Sequence, residues 1–527
     1  MSIPARSATF SVPGVRGAVA ALLWLGFAWR MVGLTAQSLW RDEVDVVFLA
    51  TRPLEQVLAM FVSPAQNGVL YLLLMRPWFR LVGTSEFALR YTSVLFGTLA
   101  LALMWQVARK LLPGWRRKDL GNMPLWAVVF LALHPYQVWY SQEGKMYALV
   151  VALALLSGWS WLNAMHRGGL LRWGGYLLAT TVAIYTHLLA ALLIPVHGIW
   201  FLLSRPLNRV RWRGYLLALL GFVLPYLPLI GWQWHYLTSL DYQTGYPFTP
   251  FAQVVRILLL DHTRGVLPTV PTLWLVPLFF LALAGLVVGL VELQTPGIRN
   301  GGPLLPVAGW VRWGILVTWL ALPVLLLHGV SLVKPLFVDR YVIWIGPAAA
   351  MLMALGVEAV RRNAGRLGAL LAGGLVCLVV LLWLWIGWQQ NRVPLKTQLR
   401  EAVAYVAGQR KADELLVLQI PHTHWAYRYY TSDFGPDPYR GSEARLAPWM
   451  EGLWTQNGLP DERARAEVDR VLRERTRGYG TLWVVLTEAK MWDPRGLMVE
   501  WLDAHGRLVD RQRFHQVEVR RYRLQGR

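Results

Sequence analysis

Eleven apolar stretches occupy most of the first 389 positions of the chain, near 17–35, 87–107, 123–138, 146–165, 173–188, 189–204, 214–232, 271–291, 310–330, 341–360 and 366–387. An α-helix needs about 20 apolar residues to cross the hydrocarbon core of a bilayer. Backbone groups inside lipid must satisfy one another, so each stretch is expected to be helical. Of 527 residues, 55% are hydrophobic and 16% charged, against about 25% charged in a soluble domain. The expected fold class is mainly α: a polytopic helical membrane protein with about 11 transmembrane helices. The first stretch lacks a small-residue cleavage site and reads as a retained span.

The segments between the stretches alternate in charge. One set is short and basic: Arg6 and Arg16; Arg109, Lys110, Arg116, Arg117 and Lys118; Arg167 and Arg172; Arg205, Arg209, Arg211 and Arg213; Arg299 and Arg312; Arg361, Arg362 and Arg366. By the positive-inside rule these face the cytoplasm. The other set holds Asp42, Glu43, Asp45, Glu55, Glu86, Glu143, Asp241, Asp261 and Asp339 and faces outward. The stretch 68–83 fits this alternation only if it does not cross. With Arg76, Pro77 and Arg80 among apolar residues, it is expected as an interfacial helix in the first outer loop, its guanidinium groups at headgroup level.

Beyond Gln389 the 20-residue apolar runs stop. Segments 395–409 and 461–475 read as helices, and 414–420, 482–487 and 515–524 as strands, giving a small C-terminal α/β soluble domain over 390–527. Eleven spans from a cytoplasmic N-terminus place that domain outside the cytoplasmic membrane. Residues 1–389 carry 29 Lys+Arg against 12 Asp+Glu and the remainder 23 against 18, so the basic balance belongs to membrane-flanking loops. Cations scattered in this way argue against a nucleic-acid partner. The lone Cys377 excludes intrachain disulfides, Cys-rich zinc sites and iron–sulfur clusters.

Chemistry-bearing residues gather in the outward segments. Asp42 and Glu43 stand just beyond the first span, where partial desolvation makes a carboxylate a stronger base; an acidic loop that merely obeys topology is the plain alternative. HPYQVWYSQEGKMYAL supplies Tyr140, Gln142, Glu143, Lys145 and Tyr147, and KPLFVDRYVIW supplies Lys334, Asp339, Arg340 and Tyr341. Cations there suit a lipid phosphate, held by charge-assisted hydrogen bonds, although Lys145 and Arg340 also fit snorkelling at helix ends. His187, at the end of the fifth span, can orient a sugar hydroxyl, bind a metal with Glu43 or Glu143, or simply hydrogen-bond within the fold. His422 and His424 would share a face on a strand, without a third ligand nearby.

LWRDEVDVV, SEFALRYTSVLFGTLAL, HPYQVWYSQEGKMYAL, YTHLLAALL and PLFVDRYVIWIGPA, in this order and over most of the chain, resemble the C-type glycosyltransferases of the protein O-mannosyltransferase and aminoarabinose-transferase type. The resemblance implies an inverting integral-membrane enzyme that moves a sugar from a polyprenyl-phosphate donor, at the outer face, to an acceptor lipid, glycan or protein. It gives Asp42 the role of general base with Glu43 as its motif neighbour. Lys145, where relatives commonly have Arg, and Arg340 would bind the donor phosphate. Glu143, Gln142, Tyr140, His187 and Asn67 would position substrate. Relatives often begin the interfacial helix with His-Pro-Pro, where this chain has Gln66-Asn67-Gly68. No obligate cofactor and no metal-ligand set is implied, although a divalent cation near Asp42 or Glu143 is left open. A transporter or flippase of lipid-linked saccharides is the competing class. It would keep its charges near the bilayer midplane and show paired halves, whereas here ionisable residues collect at the outer boundary. An assembly scaffold would rest only on the size of the outer domain.

Overall fold

The computed structural model describes residues 12–62, 67–112, 123–205, 207–238, 246–291, 309–363, 365–418, 421–432, 443–445, 461–489 and 493–525. Arg6, Gln66, Arg116, Arg117, Lys118, Asp241, Arg299 and the side chain of His422 lie outside them. Among the described residues the first helices in chain order are α1 (Val12–Met31), α2 (Arg41–Thr51), α3 (Leu54–Ala59), α4 (Val69–Val82), α5 (Glu86–Leu111), α6 (Met123–Leu133) and α7 (Pro135–Ser141). Then come α8 (Tyr147–Arg167), α9 (Leu170–Thr186), α10 (Leu193–Leu203), α11 (Leu207–Thr238), α12 (Phe251–Arg264), α13 (Val276–Val291), α14 (Gly309–Ser331), α15 (Gly346–Asn363) and α16 (Gly365–Arg392). Single 3-10 segments run at Leu188–Leu192, Thr272–Leu275 and Asp339–Ile345.

The chain divides into two compact units, one of Met1–Leu34 with Ala50–Gln390, the other of Thr35–Leu49 with Asn391–Arg527. The expected boundary at 389/390 therefore needs an addition: fifteen residues of the first outer loop fold with the C-terminal part.

In the first unit, each of the eleven apolar stretches coincides with helix. Among the described residues six helices are by themselves long and apolar enough to cross a membrane: Glu86–Leu111, Tyr147–Arg167, Leu207–Trp232, Gly309–Ser331, Asp339–Arg362 and Gly365–Arg392. Other stretches are shortened by breaks, as at His134-Pro135, where proline cannot continue the hydrogen-bond ladder. α13 and α15 cross at the closest approach. A Cβ on Gly285 would stand 1.9 Å from Leu352 O, and one on Gly356 1.9 Å from Leu281 O. Only hydrogen at those two positions lets the backbones meet, as in small-residue packing of membrane helices.

The stretch expected to lie at the interface is α4, 14 residues with Pro77 inside it. Arg76 is tied to the backbone that precedes this helix. It donates to Ala50 O at 3.2 Å and to Arg52 O, supplying donors to carbonyls that the helix end leaves over.

The second unit holds α17 (Leu399–Gln409), β1 (Leu415–Leu418), α18 (Pro421–Tyr430), β2 (Glu443–Arg445), α19 (Asp461–Thr476), β3 (Thr481–Thr487), α20 (Leu497–His505), β4 (Gly506–Phe514) and β5 (Val517–Leu524). Its five strands are ordered β2-β1-β3-β5-β4, with β1 parallel to β2 and β3, and β5 antiparallel to β3 and β4. Leu415 to Leu418 and Leu482 to Thr487 are buried without alternation, as befits central strands covered on both faces. Val468, Leu472, Met498 and Leu502 of α19 and α20 pack on one face.

Thr35–Leu49 is sewn into this unit. Gln37 Nε2 donates to Val393 O at 2.8 Å while its Oε1 accepts from Leu395 N and Lys396 N. Ser38 Oγ donates to Glu401 Oε2 at 2.8 Å, and Leu39 N donates to the Tyr430 hydroxyl at 2.7 Å. Phe48 packs on Trp425, with Arg428 over both rings. At the centre Glu43, 0% exposed, takes the Lys396 ammonium at 2.8 Å.

Two predictions follow from these contacts. Gly356→Val forces α13 and α15 apart and is expected to cost about 1–3 kcal/mol, read as a lower melting temperature in detergent. Lys396→Ala strands the Glu43 carboxylate and is expected to cost about 3–5 kcal/mol; the double change Glu43→Gln with Lys396→Met should melt above that single variant.

Candidate active site

Every candidate group of the first unit depends on how the segment after α6 is held. Pro135 has no N–H, so the carbonyl four residues before it, Leu131 O, loses its helical donor. Arg30, fully buried on α1, supplies the substitute: Nη2 donates to Leu131 O at 3.3 Å, and Nη1 to Ala132 O and Gly26 O at 3.0 Å each. Its Nε donates to Ser141 Oγ at 3.2 Å, tying the end of α6 and the end of α7 to one guanidinium. Gly97 makes room on α5, since a Cβ there would meet Ser141 Oγ at 2.3 Å and Arg30 Nε at 2.9 Å. Gln142 Nε2 donates to Arg30 O and Val32 O at 3.0 and 2.6 Å, Gln137 Nε2 to Ile343 O at 2.8 Å, and Gln390 Nε2 to Pro135 O at 3.2 Å.

So fixed, the segment presents a ladder of tyrosines. Tyr140 stands edge-on to Tyr136 and Tyr147, at centroid distances of 4.8 and 5.2 Å. The 3-10 segment Asp339–Ile345 meets this ladder at two points. The Tyr136 hydroxyl donates to Asp339 Oδ2 at 2.6 Å, and Arg340 Nε donates to the Tyr147 hydroxyl at 2.9 Å. The Arg340 guanidinium lies over the rings of Tyr147 and Tyr341, at 5.8 and 5.9 Å, an arrangement open to planar Arg more than to Lys. Lys145, half-buried, donates its N–H to Glu143 O at 2.7 Å, and its carbonyl accepts from Ser93 Oγ at 3.3 Å. His187 sits in an extended break between α9 and the next 3-10 segment, its ring 4.9 Å from Tyr341 and 6.2 Å from Tyr147. Asn67 accepts from Leu188 N at 3.1 Å and so holds that break.

The site has two electrical ends. Lys145 and Arg340 both lie within electrostatic reach of His187. At the opposite end Asp339 meets Asp261 of α12. Burial, and then the neighbouring Asp339 carboxylate, push the Asp261 carboxyl up to about 8, so it holds the proton of the hydrogen bond between the two. Burial pushes the adjacent His262 imidazole down to about 4, leaving it uncharged; its Nδ1 is 3.2 Å from His134 Nε2.

Of the residues singled out from the sequence, Tyr140, Lys145, His187 and Arg340 lie on these converging segments, and Glu143 is buried among them. Gln142 spends its amide on the backbone of α1, and Asn67 spends its carbonyl on the His187 turn. Asp42 and Glu43 belong to the second unit. Glu43 is closed off by Lys396, whereas Asp42, in the first turn of α2, remains partly exposed. His422 and His424 fall within helix α18 rather than on a strand. Sequence reading missed Tyr136, His262 and the pairing of Asp261 with Asp339. The signal was an acid followed by a histidine inside the apolar face of VVRILLLDH.

Residues 66–232 match the family model of dolichyl-phosphate-mannose-protein mannosyltransferases. A search of curated proteins gives no match. Among solved structures, ArnT from Cupriavidus metallidurans bound to undecaprenyl phosphate is similar over 97% of this chain and 98% of its own, at 14% identity and a TM-score of 0.52. The archaeal oligosaccharyltransferase AglB from Archaeoglobus fulgidus, in complex with an inhibitory peptide and a dolichol-phosphate, is similar over 95% of this chain and 73% of its own, at 10% identity and a TM-score of 0.56.

A carboxyl whose pKa is raised on folding stabilises the fold fully below its unfolded value and loses that contribution as pH rises through the folded value. For Asp261 the window runs from 3.8 to about 8. The melting temperature in detergent is expected to fall with pH across this window, and Asp261→Asn to flatten the upper part of that fall.

Proposed function

We propose that this chain, whose fold is that of the C-type glycosyltransferases, transfers a sugar from a polyprenyl-phosphate-linked donor to an acceptor lipid, glycan or protein at the outer face of the cytoplasmic membrane. The observation that carries the reading is the convergence of Lys145 and Arg340, from distant segments, on one turn of the membrane unit. Two cations on an aromatic ladder suit a sugar phosphate whose lipid tail stays in the bilayer. The structurally similar ArnT holds undecaprenyl phosphate, the same class of molecule as the leaving group in this reading.

In the reaction, the acceptor oxygen or nitrogen attacks the anomeric carbon from the face opposite the phosphate. The carbon–oxygen bond to the phosphate breaks, and its electron pair leaves with the polyprenyl phosphate, so the configuration inverts. Asp42 takes the proton of the acceptor, and Lys145 and Arg340 stabilise the charge that grows on the departing phosphate. Glu43, through its pair with Lys396, positions the helix that bears Asp42. No cofactor is required by these steps, and a divalent cation would act beside the lysine and arginine rather than replace them.

The test is single-turnover release of polyprenyl phosphate from a panel of labelled polyprenyl-phosphate sugars in nanodiscs, with extracted envelope lipids and glycans as acceptors. Wild type should release it. Asp42→Asn should slow release about 10²–10⁴-fold and Lys145→Ala about 10²-fold, both with unchanged melting. Absence of release from folded wild type with every donor, together with movement of a lipid-linked saccharide across vesicles, would replace this reading with transport.

A further inference from the structure

His187 carries one ring nitrogen more than the fold uses. Its Nδ1 accepts from Leu189 N–H at 3.3 Å. A ring nitrogen that accepts is unprotonated, so the single proton of the neutral imidazole sits on Nε2. That Nε2 has no hydrogen-bond partner among the described residues, and His187 is 1% exposed. A buried N–H donor without an acceptor is rare in a native fold and marks a place where a partner is missing.

The surroundings define the chemistry of the missing acceptor. The charges bearing on the ring are those of Arg340 and Lys145, and its aromatic neighbours are Tyr341 and Tyr147. The turn is held firmly. Asn67 Oδ1 accepts from Leu188 N, and Gly68, at a φ of +82°, packs so closely that a Cβ would lie 3.2 Å from Met146 Sδ. An unmatched donor within electrostatic reach of two cations is complementary to an oxyanion.

We propose that His187 Nε2–H is a third, uncharged donor to the phosphate that Lys145 and Arg340 bind, so that the site grips a lipid phosphate through two charged contacts and one neutral one. The inference rests on the reading above and adds a residue to it. A neutral donor fixes the phosphate's orientation without a third positive charge, which would otherwise hold the anionic product and slow its departure.

The experiment measures binding of polyprenyl phosphate to the full-length protein in detergent for wild type, His187→Phe, His187→Gln, Lys145→Ala and Arg340→Ala, with inorganic phosphate as a parallel ligand and melting temperature as the fold control. His187→Phe keeps an aromatic ring but has no N–H, and should weaken polyprenyl phosphate about tenfold or more. His187→Gln, whose amide restores a donor at a similar reach, should recover most of that loss. A merely structural histidine would give the reverse, with melting lowered in both variants and affinity unchanged in what remains folded. Weakening by Lys145→Ala and Arg340→Ala but not by His187→Phe would overturn this inference alone, whereas no weakening by any of the four would overturn the anion site itself. Inorganic phosphate bound as tightly as polyprenyl phosphate, with the same ranking of variants, would overturn the lipid source.

Discussion

The membrane unit turns on a proline and the arginine that answers it. Pro135 ends a buried helix where no water is at hand to receive Leu131 O and Ala132 O, and in apolar surroundings an unsatisfied carbonyl is costly. Arg30 brings the missing donors from α1 and, through Ser141, closes the far end of α7 with the same guanidinium. That one side chain makes a sharp turn compatible with a lipid-facing fold. The tyrosine ladder, Lys145 and the contact with the Asp339–Ile345 segment are all set by the angle of that turn.

Two pairs of like-charged groups stand at different points of the site, with the buried Glu143 near the cations. Lys145 and Arg340 share the His187 end, and Asp261 and Asp339 share the other, with tyrosine hydroxyls and rings between. The acid end manages its own repulsion by retaining a proton on Asp261.

Much of this was legible in the sequence where one element carried the information. Apolar length located the helices, alternation of basic and acidic segments placed α4 outside the set of spans, and the strands over 415–418 and 481–487 followed from short apolar runs. What escaped reading depended on partners far away or on edges. β4 is a charged edge strand, GRLVDRQRF, whose side chains are mostly exposed, so it lacks the apolar alternation of a half-buried strand. No local pattern joins Glu43 to Lys396 or Asp261 to Asp339. The segment with His422 and His424 opens α18, and proline at its first helical position, Pro421, is the local signal for that helix.

The allocation of Thr35–Leu49 to the C-terminal unit has a consequence for biosynthesis. Glu43 and Lys396 are 353 residues apart in the chain, and at about 5–20 residues per second the ribosome needs roughly 20–70 s to bring the second after the first. Through that interval the helices can insert one after another while the first loop waits, its buried carboxylate still without its counter-charge. The C-terminal part is thus the last piece of a structure begun near the N-terminus, and a chain that stops short of it leaves its own beginning unfinished.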